Sequence, residues 1–72
     1  MDIVVEQAPG FAGEPEPTAV WFGSRRLAVV AIVDRWYGAK HRWWKLRTED
    51  GLYVLRRAEG TCDWELAAVA RA

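Results

Sequence analysis

Apolar and polar positions along the chain fall into short runs divided by turn-forming residues. Residues 18–22, Thr-Ala-Val-Trp-Phe, make a compact β-branched and aromatic run. Gly23-Ser24-Arg25-Arg26 interrupts it, and the pattern resumes over 27–36. A short glycine-containing break between two such runs predicts a hairpin. Residues 27–33 are apolar at every position, Leu-Ala-Val-Val-Ala-Ile-Val. Simple alternation would expose either Leu27, Val29, Ala31 and Val33 or Ala28, Val30 and Ile32. A continuous run therefore implies a strand covered on both faces, or a bulge that switches the face partway.

Residues 38–42 are a polar connection, 43–48 the next strand and 52–58 its return. Between them stands Glu49-Asp50-Gly51, and Asp-Gly between β-rich runs is a strong hairpin signal. With Asp50 and Gly51 as the central residues, Glu49 faces Leu52 and Leu46 faces Leu55. One side then collects Trp44, Leu46, Tyr53 and Leu55, a core face. The other collects Trp43, Lys45, Arg47, Val54 and Arg56. Residues 59–63 form a further turn. Residues 64–71 read as a last strand, with Trp64 and Leu66 inward and Glu65 outward; the alanines favour helix, but eight residues make a marginal one.

The N-terminal stretch is the least regular. Residues 3–6 are a short β-branched run and a candidate first strand. Residues 8–17 hold all three prolines and read as a loop, with Phe11 a candidate anchor to the core. The chain divides into residues 1–17, an N-terminal strand and Pro/Gly-rich loop, and residues 18–72, a single small β domain. Successive short strands predict an all-β antiparallel meander of four to five strands, barrel-like or strongly bent.

Seventy-two residues bury a modest fraction of their surface, and small domains commonly lean on disulfides, metals, oligomerisation or large apolar side chains. One cysteine, Cys62, permits no internal disulfide, and one Cys with one His falls short of a structural zinc site. Five tryptophans are the remaining resource. The expected core is Trp21, Trp36, Trp44, Leu46, Tyr53, Leu55, Trp64 and Leu66. No apolar run reaches membrane-spanning length, and the lone thiol and absent export signal fit a cytoplasmic protein.

Formal net charge is zero, yet residues 21–48 carry seven Lys or Arg against Asp34 alone. Trp43 with Lys45, Arg47 and Arg56 makes a basic aromatic face, a candidate surface for nucleic acid or a partner, since single-strand binders combine cationic grooves with stacking platforms. The zero net charge counts against a dedicated nucleic-acid binder. Val30 and Ile32 mark a candidate protein interface or homodimer contact. No catalytic constellation emerges: the acids fall mostly in turns, His41 stands between Lys40 and Arg42, and no metal or phosphate-binding motif is present. The expectation is a non-enzymatic domain with no cofactor, metal, membrane partner or small-molecule substrate.

The order Trp21-x-Gly23, Val33-Asp34-Arg35-Trp36, Arg42-Trp43-Trp44, Thr48-Glu49-Asp50-Gly51, Tyr53-x-Leu55, Gly60 and Trp64-x-Leu66 resembles a small bacterial domain-of-unknown-function family. A similar pattern closes the C-terminal tail of ImuB-type proteins, inactive Y-family polymerase homologues of bacterial mutagenesis cassettes. The resemblance implies an all-β accessory module in translesion DNA synthesis, acting through a protein partner, with no catalytic residue to carry over. The chain departs from that pattern in its Gly23–Arg26 hairpin and its Ala-rich end.

Overall fold

The computed structural model describes residues 3–10, 13, 15–61 and 63–70; Phe11 and Cys62 lie outside the described residues. Six strands succeed one another: β1 (Ile3–Pro9), β2 (Pro15–Phe22), β3 (Arg25–Tyr37), β4 (His41–Thr48), β5 (Gly51–Ala58) and β6 (Trp64–Ala70). They form one antiparallel sheet in sequence order, β1-β2-β3-β4-β5-β6, curled into a half-barrel. Its two edge strands approach each other without pairing. The all-β meander is thus present, with six strands against the four or five expected.

The proline-rich stretch is more regular than its composition suggests. β1 runs on to Pro9 and β2 begins at Pro15, with Ala8 facing Glu16 and Pro9 facing Pro15. Residues 10–14 connect them, so half of the expected loop over 8–17 is ladder. The prolines leave a different mark. The β2–β3 pairing runs from Phe22–Arg25 to Ala19–Ala28 and stops short of Pro17 and Pro15. Neither proline has an N–H to give a neighbouring strand. β3 is therefore shared, pairing with β2 over its first residues and with β4 from Val29 to Tyr37.

The continuous apolar run resolves into two bulges. The β3–β4 register shifts between Val29 and Ala31 and again between Ile32 and Asp34. Val30 and Val33 are the extra residues, and each reverses the in–out alternation of the strand beyond it. Leu27 is buried, Val29 and Ile32 pack against the core, and Ala28, Val30, Ala31, Val33, Asp34 and Trp36 are exposed. Neither alternating set survives intact.

The β4–β5 faces hold, but their pairing differs by two residues. Leu46 faces Tyr53 and Trp44 faces Leu55, because the turn is Glu49-Asp50 and Gly51 already pairs with Thr48. Thr48 accounts for the shift: its hydroxyl donates to the Gly51 carbonyl at 3.0 Å and accepts from the Asp50 N–H at 3.1 Å. Gly51 takes the positive φ, 119°, at the start of the returning strand. A two-residue displacement preserves which residues point inward, so the core face stands.

That core centres on Val20, Trp44, Leu46, Leu55 and Trp64, with Ile3, Val5, Phe22, Val29, Ile32 and Leu66 packed around it. Trp44 and Trp64 meet at 4.8 Å between ring centroids. The Arg57 guanidinium carbon lies 5.6 Å from the Trp44 ring and 5.4 Å from the Trp64 ring, capping the pair. Two expected core tryptophans are elsewhere. Trp21 is half-buried and donates its indole N–H to Glu6 at 2.8 Å, while Arg26 pairs with the same carboxylate at 2.6 Å. Trp36 is 40% exposed, because the bulge at Val33 turns it outward.

Candidate functional site

The residues of interest lie on the outer face of β3, β4 and β5, near the Gly38-Ala39-Lys40 turn. The ladder sets Trp36 opposite Trp43 and Trp43 opposite Arg56, and β6 adds Glu65 to the row. Trp36 and Trp43 stack with planes 5° apart and centroids 6.2 Å apart. The Arg56 guanidinium carbon is 5.5 Å from the Trp43 ring. Trp43 is thus used inside the domain, between a second indole and an arginine. Its indole nitrogen also approaches Gly38 so closely that a Cβ there would stand 3.1 Å from it. The His41 ring tilts against it at 6.1 Å.

The charges of this face are close to balance. Arg56 donates to Glu65 at 3.0 Å, and this bond holds the Glu65 carboxyl below the usual carboxylate range. Lys45 stands opposite Asp34 in the ladder. Arg47 is exposed between Ala31 and Leu52. The expected cationic face of Trp43, Lys45, Arg47 and Arg56 therefore exists as one surface, with Asp34 and Glu65 interleaved.

Val30 and Ile32 do not share a surface. Val30 is 66% exposed, whereas Ile32 packs against the core on the other side of the first bulge. Exposed apolar side chains fall instead along β3, at Val30, Val33 (46%), Trp36 and Tyr37 (65%), with Trp36 in the outer row of Trp43 and Tyr37, which carries Arg42 over its ring, in the row of Arg35 and Trp44 on the other face. Neither Tyr37 nor Val33 was expected as part of the apolar interface, which was placed at Val30 and Ile32. No local sequence signal marks them, because their exposure depends on bulges set by the pairing with β4.

Arg35 and Glu16 fasten the start of β2 to the end of β3. The Arg35 Nε donates to one carboxylate oxygen of Glu16 and its Nη2 donates to the other at 3.0 Å. Glu16 is 7% exposed, and its hydrogen bond raises the Arg35 pKa above the usual arginine value. Beside this pair, Val33, Asp34, Arg35 and Tyr37 enclose an open hollow of about 310 Å³.

Among the described residues, no group of three or more His, Cys, Asp and Glu could hold a metal ion, and no helix is long and apolar enough to cross a membrane. Compared with known proteins, the chain matches no family model, no curated sequence and no solved structure.

Proposed function

We propose that this chain is a non-enzymatic interaction module that docks a protein partner along β3. The carrying observation is the concentration of exposed apolar side chains. Of the six large hydrophobic residues exposed among the described ones, four lie between Val30 and Tyr37. A local concentration of exposed apolar side chains is a mark of protein contact sites. An accessory role in bacterial translesion DNA synthesis is the context offered by the resemblance of the tryptophan and turn pattern, and it rests on that resemblance alone.

Nucleic-acid binding through Trp43, Lys45, Arg47 and Arg56 is the weaker reading. Trp43 already carries Trp36 and Arg56 against its ring, which leaves it a poor platform for a base. Arg56 is tied to Glu65, and two acids stand among the three cations of the face. Phosphate binding draws its affinity from uncompensated positive charge.

The test is a photo-crosslinking residue at position 33, with position 4 as control, in cells expressing the chain. Val4 is more open than Val33, at 65% exposure against 46%, but lies on β1. The expected result is a discrete protein adduct from position 33, absent from position 4 and lost on Trp36→Ala. Equal labelling from both positions, or a nucleic-acid adduct, would overturn the proposal. A fluorescence titration with single-stranded oligonucleotides at two salt concentrations should leave tryptophan emission unchanged.

A further inference from the structure

The inner face of the half-barrel ends, toward Gly38 and Gly60, in a row shared by four strands. The ladder aligns Tyr37, Arg42, Arg57 and Trp64 across it. Arg57 caps the rings of Trp44 and Trp64 and forms no ion pair or hydrogen bond among the described residues. Its side chain is half-buried: the Nε is out of water without an acceptor, and the Nη groups reach the surface. Trp64, its partner in the ladder, is 9% exposed, and its indole N–H is likewise buried without an acceptor.

Buried donors are satisfied in the great majority of folded proteins, so two such groups in one cross-strand pair point to an acceptor that the chain does not itself supply. The ladder also sets Arg42 directly opposite Arg57. Like charges so placed disfavour the pairing unless an anion stands near them.

The domain shows twice what its arginines accept. Arg26 donates through Nε and Nη2 to the two oxygens of Glu6, and Arg35 donates through the same two atoms to Glu16. Arg57 presents that same edge with no acid on it. A planar carboxylate matches the paired N–H groups of a guanidinium. The chain's zero net charge disfavours a polyanion such as nucleic acid.

We propose that Arg57 receives the carboxylate of an Asp or Glu side chain of the protein partner, entering from the Nη side. The inference rests on the reading of β3 as a protein docking site, which it extends: Tyr37, 65% exposed, belongs both to that strand and to this row.

The test uses the intact domain and a defined probe. Nα-acetyl-glutamate amide, with one carboxylate, is titrated into ¹⁵N-labelled protein, with the uncharged Nα-acetyl-glutamine amide and with methyl phosphate as comparisons. The carboxylate probe should produce saturable shifts at the Arg57 Nε–H and the Trp64 indole N–H. Arg57→Lys keeps a cation over the two indoles but loses the paired N–H edge, and should weaken binding about threefold to tenfold. Arg56→Gln, on the outer face, should leave it unchanged.

Equal shifts from the glutamine probe, no shift at either reporter, or equal affinity in Arg57→Lys would overturn the carboxylate site. Tighter binding of methyl phosphate, lost in Arg57→Lys, would overturn it in favour of a phosphate ligand. Crosslinking from position 33 decides the docking surface independently of each of these outcomes.

Discussion

Trp36 and Trp43 face each other across the β3–β4 ladder with their indole planes 5° apart. The two rings serve different masters. Trp43 is fixed from several sides, by Trp36, Arg56, His41 and the backbone at Gly38. Trp36 is held from one side and keeps 40% of its surface in water. Trp36→Ala should therefore cost about 1 kcal/mol, the value of an aromatic pair, and lower the melting temperature by roughly 4–8 °C in a domain of this size. Trp44→Ala, at a site only 4% exposed, should cost about 3–5 kcal/mol and leave the chain largely unfolded. Thermal melts followed by circular dichroism separate the two, and equal losses would show that Trp36 belongs to the core.

Gly38 should control where Trp43 sits. Its amide donates to the His41 carbonyl at 2.7 Å, and a Cβ at this position would stand 3.1 Å from the Trp43 indole nitrogen. Gly38→Ala should fold and shift the Trp43 indole N–H resonance, because the ring yields by a few tenths of an ångström. A branched side chain needs a larger displacement, so Gly38→Val should also weaken the Trp36–Trp43 stack and lower the melting temperature. An unmoved Trp43 signal in both variants would contradict this account.

Glu6 makes stability depend on pH at the acid end. Hydrogen bonds from Arg26 and then from Trp21 hold its carboxyl below the usual carboxylate range. A carboxyl depressed in the folded state contributes fully above its unfolded value, about 4.3, and the contribution fades as pH falls through the lower folded value. The Trp21 indole N–H signal should consequently move as pH falls below the usual carboxylate range. In Glu6→Gln that titration should vanish, and its persistence would assign it to another acid.

The Glu16–Arg35 pair should matter more than the surface pairs. Glu16 is 7% exposed, while the Arg35 side chain is 38% exposed and can regain water when its partner is removed. Glu16→Ala should cost roughly 1–2 kcal/mol, less than the 3–5 kcal/mol expected when a fully buried pair is broken. Glu65→Ala, which removes the exposed partner of Arg56, should leave stability nearly unchanged. Urea denaturation of both variants gives the comparison, and the reverse order would contradict the burial argument.

Much of the architecture is legible from residue order. The strands around Asp50-Gly51, the inward set Trp44, Leu46, Tyr53 and Leu55, and the strand reading of residues 64–70 come from alternation and turn chemistry. The exact β4–β5 pairing does not, because a Thr48 hydroxyl moves the turn by one residue while leaving the faces alone. The positions of Trp36, Val30 and Ile32 were hidden for a deeper reason. Each bulge inverts all the alternation after it, and a run of seven apolar residues carries no local mark of where the extra residue falls. Trp21 was missed because an indole has a polar edge, and Glu6, fifteen residues earlier, meets it only through the β1–β2 pairing.

The strand that changes neighbours at residues 28–29 divides the domain into two zippers on a common spine. Backbone amides of β1 and β2 depend on a short ladder that ends ahead of two prolines, whereas those of β4 and β5 are gripped on both sides. Opening should begin with the N-terminal hairpin peeling from β3, leaving a four-strand remnant that retains Trp44 and Trp64. Amide exchange would then run fastest in residues 3–9 and slowest in residues 44–55.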